Sequence, residues 1–310
     1  MKLKIFFSDF WSGFDYNDNI FINLLKNHFE IKVDCQNPDI LFFSCFGFDN
    51  INYKCLKIFF AGENVRPNYN IADFSISFDW NAYGNKNMRL PLLRFNGNLE
   101  KFEKTIPIND IPIAEKKFCC TVVSNSGCKE RNFFFEVLSK YKKVDSGGRY
   151  KNNIGGPVDN KLEFIKQYKF VFSFENSSFP GHTTEKIVDA ISVGSIPIYW
   201  GNPLIGKDFN DNRIINIENF HSFEEAIDFI IELDSNDNLY REFCNRPIFP
   251  DGKLPAHLKW ESIEHELIEF IWCLLKQKPI ATTSKIYPHY NKFKRMMLSR
   301  IYRKPQWAFF

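Results

Sequence analysis

The chain has 310 residues and a net charge of +3, with 44% hydrophobic, 25% charged and 17% aromatic residues, 35 of them Phe. Those proportions exclude a disordered chain, a collagen-like chain and a small disulfide scaffold, and the length predicts two domains, each with its own core. From Phe270 to Phe310 there are nine Lys or Arg and no acidic residue, leaving 31 basic and 37 acidic groups in the preceding 269 residues. An acidic body with a basic tail points to an anionic surface as the tail's partner and away from nucleic acid.

The first apolar stretch, ending at Phe7, is too short for a secretory core. No run approaches the roughly 18–20 apolar residues that cross a bilayer. Residues 3–7 therefore read as a first buried strand, and the protein as cytosolic. Eight scattered cysteines without a CxxC pair fit reduced thiols. A helix follows at 19–29, with Ile20, Leu24, Leu25 and His28 near one face, then strands at 40–44 and 57–61. Residues 100–115 hold two Ile-Pro-Ile triplets without a clear period and read as the domain linker.

Residues 118–123 form the next predicted strand. The turn Ser124-Asn125-Ser126-Gly127 leads into a helix over 128–141, with Ser or Asn as its N-cap. A second unit repeats the pattern: strand 169–174, loop 175–182, helix 184–193, strand 196–199. Ser222 and Glu225, at capping-box spacing, open a helix over 223–233. A last body helix, 260–275, is expected to cross back onto the first domain. Strands alternating with helices predict parallel sheets of βαβ units, hence an α/β protein with two Rossmann-like domains facing a cleft. The predicted boundaries are 1–112, 113–262, a crossing helix and linker at 263–284, and a tail at 285–310.

Ligands of open α/β sheets sit beyond the carboxyl ends of strands, where helix N-termini point their N–H groups. Arg131 and Lys186 fall in the first turns of two such helices, where the helix dipole opposes their charge. A diphosphate between the two helix ends resolves that conflict, with Arg131 binding bidentately and Lys186 acting as a point charge. The bland reading makes both cations solvated surface residues.

The stretch Phe172-Ser173-Phe174-Glu175-Asn176, Thr184-Glu185-Lys186 and Ile196-Pro197-Ile198-Tyr199-Trp200-Gly201 resembles the donor-site signature of the α1,3/4-fucosyltransferases of glycosyltransferase family 10. Similar flanking segments are Phe59 to Asn64, Val122 to Asn125, Glu130-Arg131-Asn132 and Asp145 to Gly148, so the likeness spans roughly residues 55–255. The nearest likeness is to bacterial enzymes that fucosylate lipopolysaccharide. What this resemblance implies is a GT-B enzyme, inverting, that moves fucose from GDP-β-L-fucose to the 3-OH of GlcNAc in an N-acetyllactosamine-type glycan. It also implies that Arg131 and Lys186 hold the diphosphate, that Asn176 and Glu185 contact the donor, and that Tyr168 and Glu175 shape the pocket. Glu63 would be the general base, following strand 57–61 across the cleft from the donor, with Gly62 beside it to let substrate approach. A turn-capping Glu63, or one paired with Arg66, is the structural alternative.

No Asp-x-Asp, HxH or HxxxH pattern is present, so no metal is required, and stimulation by Mg²⁺ or Mn²⁺ is left open. His182 stands where relatives usually carry Tyr. Either it touches the nucleotide, with a charge that changes near pH 6–7, or it is an exposed loop residue. In the tail, Tyr290, Phe293, Met297 and Ile301 recur at helical spacing among Lys292, Lys294, Arg295, Arg300, Arg303 and Lys304, with Trp307, Phe309 and Phe310 beyond. This pattern predicts an amphipathic helix on an anionic bilayer, at the inner face of the cytoplasmic membrane. Alternative functions are an α1,4-fucosyltransferase on type 1 acceptors, a non-catalytic glycan-binding relative, a GDP-mannose enzyme and a nucleic-acid binder.

Overall fold

A strand covered on both faces is mostly apolar, and the strands Ile40–Phe43, Leu56–Phe60, Phe74–Ser77 and Tyr168–Phe174 are among those buried along their whole length, Lys57 and Lys169 included. The computed structural model describes residues 1–95, 99–104, 111–277 and 286–302. Two units divide the chain, one comprising Met1–Pro91 and His257–Phe310, the other Leu92–Ala256.

The first unit begins β1 (Lys2–Ser8), α1 (Ile20–Leu25), β2 (Glu30–Val33), β3 (Ile40–Phe43), β4 (Leu56–Phe60), β5 (Phe74–Ser77) and β6 (Asn87–Arg89). Its strands form one parallel sheet in the order β2-β1-β3-β4-β5-β6. Asn19 caps α1, its Oδ1 accepting the Phe21 and Ile22 amides at 3.1 Å each. That helix stops at Leu25, short of the expected 29.

The second unit contains α2 (Lys101–Lys104), β7 (Lys117–Thr121), α3 (Lys129–Tyr141), β8 (Val144–Ser146), α4 (Lys161–Ile165), β9 (Tyr168–Phe174), α5 (Glu185–Ser192), β10 (Ile196–Trp200), β11 (Ile215–Asn216), α6 (Phe223–Ser235) and α7 (Asp237–Cys244). Its strands run parallel in the order β11-β10-β9-β7-β8. Phe134, Leu138, Phe170, Phe172, Ile196, Ile198, Ile230 and Leu233 fill one core face between this sheet and its helices. Ser222 caps α6 through the Glu225 amide at 3.2 Å, while the Glu225 carboxylate returns to the His221 amide at 2.7 Å.

The chain then returns to the first unit through α8 (Trp260–Leu274) and α9 (Ile286–Tyr302). On α8, Trp272 meets Phe29 at 5.1 Å, Phe270 meets Phe74 edge-on at 5.5 Å, and Glu264 lies 3.0 Å from His28. The first change of unit falls at Pro91/Leu92, ahead of the 112/113 boundary read from the sequence. Its local reason is the turn Leu92–Phe95, which is tied to the second unit by a 3.1 Å bond from the Leu93 amide to the Thr183 carbonyl. Part of the expected linker, 105–110, lies outside the described residues. The α/β class with two parallel-sheet units is the one the sequence predicts. All eight cysteines are free thiols.

Candidate active site

At the carboxyl end of the second sheet, β7 leads through the loop 122–128 into α3, and β9 leads through 175–184 into α5. The cap of α3 is Cys128, whose sulfur accepts the Arg131 amide at 3.4 Å. The expected Ser or Asn cap is displaced because Asn125 is already used: its Oδ1 accepts the Gly127 amide at 2.7 Å. Arg131, in the first turn, is only 2% exposed. Its guanidinium donates to the Asn125 carbonyl and, at 3.2 Å, to Asn176 Oδ1, while its Nε has no hydrogen-bond partner. Neutral oxygens alone hold this cation, and burial lowers its pKa. Asn176, by contrast, faces solvent with the rest of its side chain.

Lys186 is the second residue of α5. Its ammonium lies 2.9 Å from Glu175 Oε2, 2.8 Å from Thr184 Oγ1 and 3.9 Å from Glu185 Oε1. Burial works against its charge, but the carboxylates of Glu175 and Glu185 outweigh burial and raise its pKa; the Arg131 charge acts in the opposite direction. Glu175 is fully buried and also accepts the Thr184 amide at 2.8 Å and the Thr184 hydroxyl. It therefore does the capping that the Thr184 side chain leaves undone at the start of α5. Glu185 stays below the usual carboxylate range: burial raises it, and Lys186 and Lys161 lower it further.

The bland reading of Arg131 and Lys186 as solvated surface charges is overturned. Both are drawn inward, one by amide oxygens and one by a buried carboxylate. His182 is likewise no exposed loop residue. It is 4% exposed, and burial lowers its pKa, so the change of charge expected near pH 6–7 moves to lower pH. Tyr168 stands apart from this group. It opens β9 at the amino end, and its buried hydroxyl donates to Asp145 Oδ2 at 2.9 Å, tying β9 to β8.

Asn202, which sequence reasoning passed over, fixes the loop that carries His182. It accepts the Gly181 amide at 2.7 Å and donates to Thr183 Oγ1 at 3.0 Å. Beside it Gly201, with φ of 147°, leaves room for Glu175: a Cβ there would stand 2.6 Å from the Glu175 Cβ. The only hint in the sequence is the Trp200-Gly201-Asn202 run after an apolar strand.

In the first unit, Glu63 lies half-buried in the turn after β4. Arg66, the alternative partner considered for it, makes an ion pair with Asp79 at 3.5 Å. Gly62 serves packing, since a Cβ there would meet Phe46 Cε2 and Ser44 Oγ at 2.9 Å. Among the described residues no group of three or more His, Cys, Asp or Glu side chains could hold a metal ion.

Residues 5–96 match the family description "Alpha-(1,3)-fucosyltransferase FucT N-terminal domain", and residues 113–290 match "Glycosyltransferase family 10 (fucosyltransferase) C-term". An α-(1,3)-fucosyltransferase, FucT, of Helicobacter pylori is 31% identical over 280 residues, 77% of this chain and 58% of that protein. The human GDP-fucose protein O-fucosyltransferase 3 is 26% identical over 204 residues, 59% of this chain and 43% of that protein. The chain thus spans little more than half the length of the first relative and less of the second. A crystal structure of an α1,3-fucosyltransferase with GDP-fucose superimposes with a TM-score of 0.75 at 27% identity, over 90% of this chain and 92% of that one.

Proposed function

The chain belongs to glycosyltransferase family 10, and we propose that it transfers L-fucose from GDP-β-L-fucose to the 3-OH of GlcNAc in an N-acetyllactosamine-type glycan, with inversion to an α1,3 linkage. The observation that carries this reading is the pair of inward-drawn cations, Arg131 and Lys186, at the first turns of two helices that follow adjacent strands. A diphosphate relieves the helix dipoles' opposition to both charges and takes up the unused Arg131 Nε. As GDP departs, negative charge grows on its phosphate oxygens, and fixed donors there stabilise the transition state more than the ground state. Asn176 and Glu185 flank the same charges and are assigned to the donor. Glu175 acts indirectly, by holding Lys186 and the start of α5, and His182 lines the site as a neutral ring.

In the proposed step the acceptor oxygen attacks the anomeric carbon from the face opposite GDP. The C1–O bond to the phosphate breaks, its electron pair leaves with GDP, and Glu63 takes the hydroxyl proton. No divalent ion is needed for this scheme, because two side-chain cations and backbone amides meet the diphosphate.

Lipopolysaccharide is the proposed glycan carrier, with α9 resting on the cytoplasmic face of an anionic membrane. Support comes from Phe293 and Met297, 64% and 42% exposed one turn apart, with Lys294 and Arg300 also at the surface. Arg295 does not belong to that cationic face. It is buried, donating to the Cys45 carbonyl at 3.0 Å and lying over the Phe48 ring at 4.4 Å. The side chains of Tyr290 and Ile301, and residues 303–310 with Trp307, Phe309 and Phe310, lie outside the described residues. Among the described residues no helix is long and apolar enough to cross a membrane.

The test is GDP release from GDP-fucose, with EDTA present, against lactose, type 1 and type 2 disaccharides and free GlcNAc. Release dependent on the type 2 disaccharide is expected. Dependence on type 1 instead would reassign the linkage to α1,4. Tight GDP binding with no release on any acceptor would favour a glycan-binding relative.

A further inference from the structure

The carboxyl ends of β1, β3 and β4 lie side by side, and the three loops that leave them are locked together. Asp9, just past β1, takes a left-handed backbone conformation with φ of 60°. Its carbonyl accepts the Phe46 amide at 3.0 Å, and its carboxylate accepts the Asp49 amide at 2.7 Å, the Asn50 amide at 2.9 Å and the Asn50 side chain at 2.7 Å. Ser44 Oγ donates to the Phe60 carbonyl at 2.8 Å, joining the β3 loop to the end of β4. A short polar side chain such as Asp tolerates this conformation, and its cost is offset by bonds that cross from one loop to the next.

An aromatic surface sits on this frame. Trp11, in the β1 loop, packs edge-on against Phe46 at 6.2 Å and against Phe14 at 5.2 Å, and leans on Phe60 at 6.4 Å. It nevertheless keeps 37% of its surface open. Phe46 is half-buried, and its ring edge occupies the space a side chain at position 62 would need. The aromatic surface therefore runs from Trp11 through Phe46 to the residue directly before Glu63. A large ring left open on a rigid, cross-linked loop costs hydrophobic stabilisation that the neighbouring Phe10, buried and stacked on Phe14 at 4.1 Å, does not forgo.

We propose that Trp11 and Phe46 form the platform on which a pyranose ring of the acceptor stacks beside Glu63. A pyranose has one face lined by C–H groups and a rim of hydroxyls, and the C–H face pairs with an aromatic ring while the rim keeps its polar partners. The juxtaposition matches both halves, with an aromatic surface that reaches the residue directly before Glu63, the proposed base. Rigid loops suit such a subsite, because a platform already in position orders no side chain on binding. Trp11 and Phe46 are positioning residues, and this assignment rests on the transferase reading of Glu63.

The test uses the full chain loaded with GDP and measures N-acetyllactosamine binding by saturation-transfer NMR, alongside acceptor and donor KM. Trp11→Ala is expected to weaken N-acetyllactosamine binding and raise acceptor KM by about 10-fold, with donor KM unchanged and with Trp11→Phe recovering most of the loss. Unchanged sugar binding in Trp11→Ala overturns the platform. So does a parallel rise in donor KM with a lower unfolding temperature, which marks a merely structural residue. If the wild-type chain binds the sugar through Trp11 but releases no fucose from GDP-fucose, the transferase reading falls and the platform stands.

Discussion

The Lys186 ammonium lies 2.9 Å from the carboxylate of Glu175, a residue with no solvent-exposed surface. This ion pair turns a cation at a helix N-terminus from a liability into a fixed part of the second unit. Glu175 satisfies the first amide of α5 and neutralises the ammonium at once, and Thr184 Oγ1 bridges the two at 2.8 Å from each. A phosphate arriving there meets a lysine whose position is already set, so little side-chain entropy is lost on binding.

Lys186→Ala therefore has two expected consequences. GDP affinity falls by at least about 10-fold, because a charge-assisted contact to phosphate is lost. Unfolding stability falls too, since Glu175 is left as an uncompensated buried carboxylate; breaking a buried pair costs about 3–5 kcal/mol, and the partial exposure of Lys186 argues for the lower end. Calorimetry with GDP and thermal unfolding check both. Normal GDP affinity in a destabilised variant would leave Lys186 as a structural ion-pair partner alone.

Glu63→Gln keeps the shape of the turn after β4 and removes only the ability to accept a proton. GDP-fucose binding is expected to stay near wild type while turnover drops by roughly 10²-fold or more, the usual scale for a positioned base. Equal kcat in the two proteins would remove Glu63 from the chemistry.

These site residues were legible to unequal degrees. Arg131 and Lys186 stood out because they sit in the first turns of helices that follow continuous apolar strands, a pattern visible without tertiary contacts. Glu175 was named only through the family resemblance, and its pairing with Lys186 was not legible because it reaches α5 across a loop; Asn202, which holds Thr183 from beyond β10, gave no signal of that contact. Strands Glu30–Val33, Asn87–Arg89, Val144–Ser146 and Ile215–Asn216 escaped for a different reason. All four are short strands at sheet edges that carry charged or polar side chains, and their identity comes from pairing with a neighbour. Tyr168, given to the pocket by the resemblance alone, opens β9 at the amino end and ties it to Asp145 instead, a tertiary contact that the sequence does not show.

His182 predicts a pH dependence. Burial lowers its pKa, the Lys186 charge acts the same way, and the Glu175 and Glu185 carboxylates oppose both. The folded-state pKa is thus below the unfolded value of about 6.5, and the neutral ring contributes stability that is present above that pH. Protonation of the unfolded chain removes that contribution as the pH falls from about 6.5 through the lowered folded value. Wild type should lose unfolding temperature on acidification faster than His182→Gln in this window. Parallel curves for the two proteins would show that the ring does not carry the acid limb.

The tail helix predicts a separation of two effects on one element. Phe293 and Met297 face outward, whereas Arg295, midway between them, is buried against the loop after β3, where burial lowers its pKa to about 10 and leaves it charged at neutral pH. Replacing Phe293 and Met297 together by Glu removes the apolar contact and adds charges repelled by anionic lipid, so sedimentation with phosphatidylglycerol vesicles should fall strongly. Activity on a soluble type 2 disaccharide should be retained, because both side chains keep much of their surface open and lie outside the assigned site. Arg295→Ala acts in the opposite sense. It takes the donor from the Cys45 carbonyl and the cation from the Phe48 ring, loosening the loop that carries Phe46 and raising acceptor KM while vesicle binding persists. Equal vesicle binding by wild type and the Phe293/Met297 double variant would remove the outward face of α9 from membrane association.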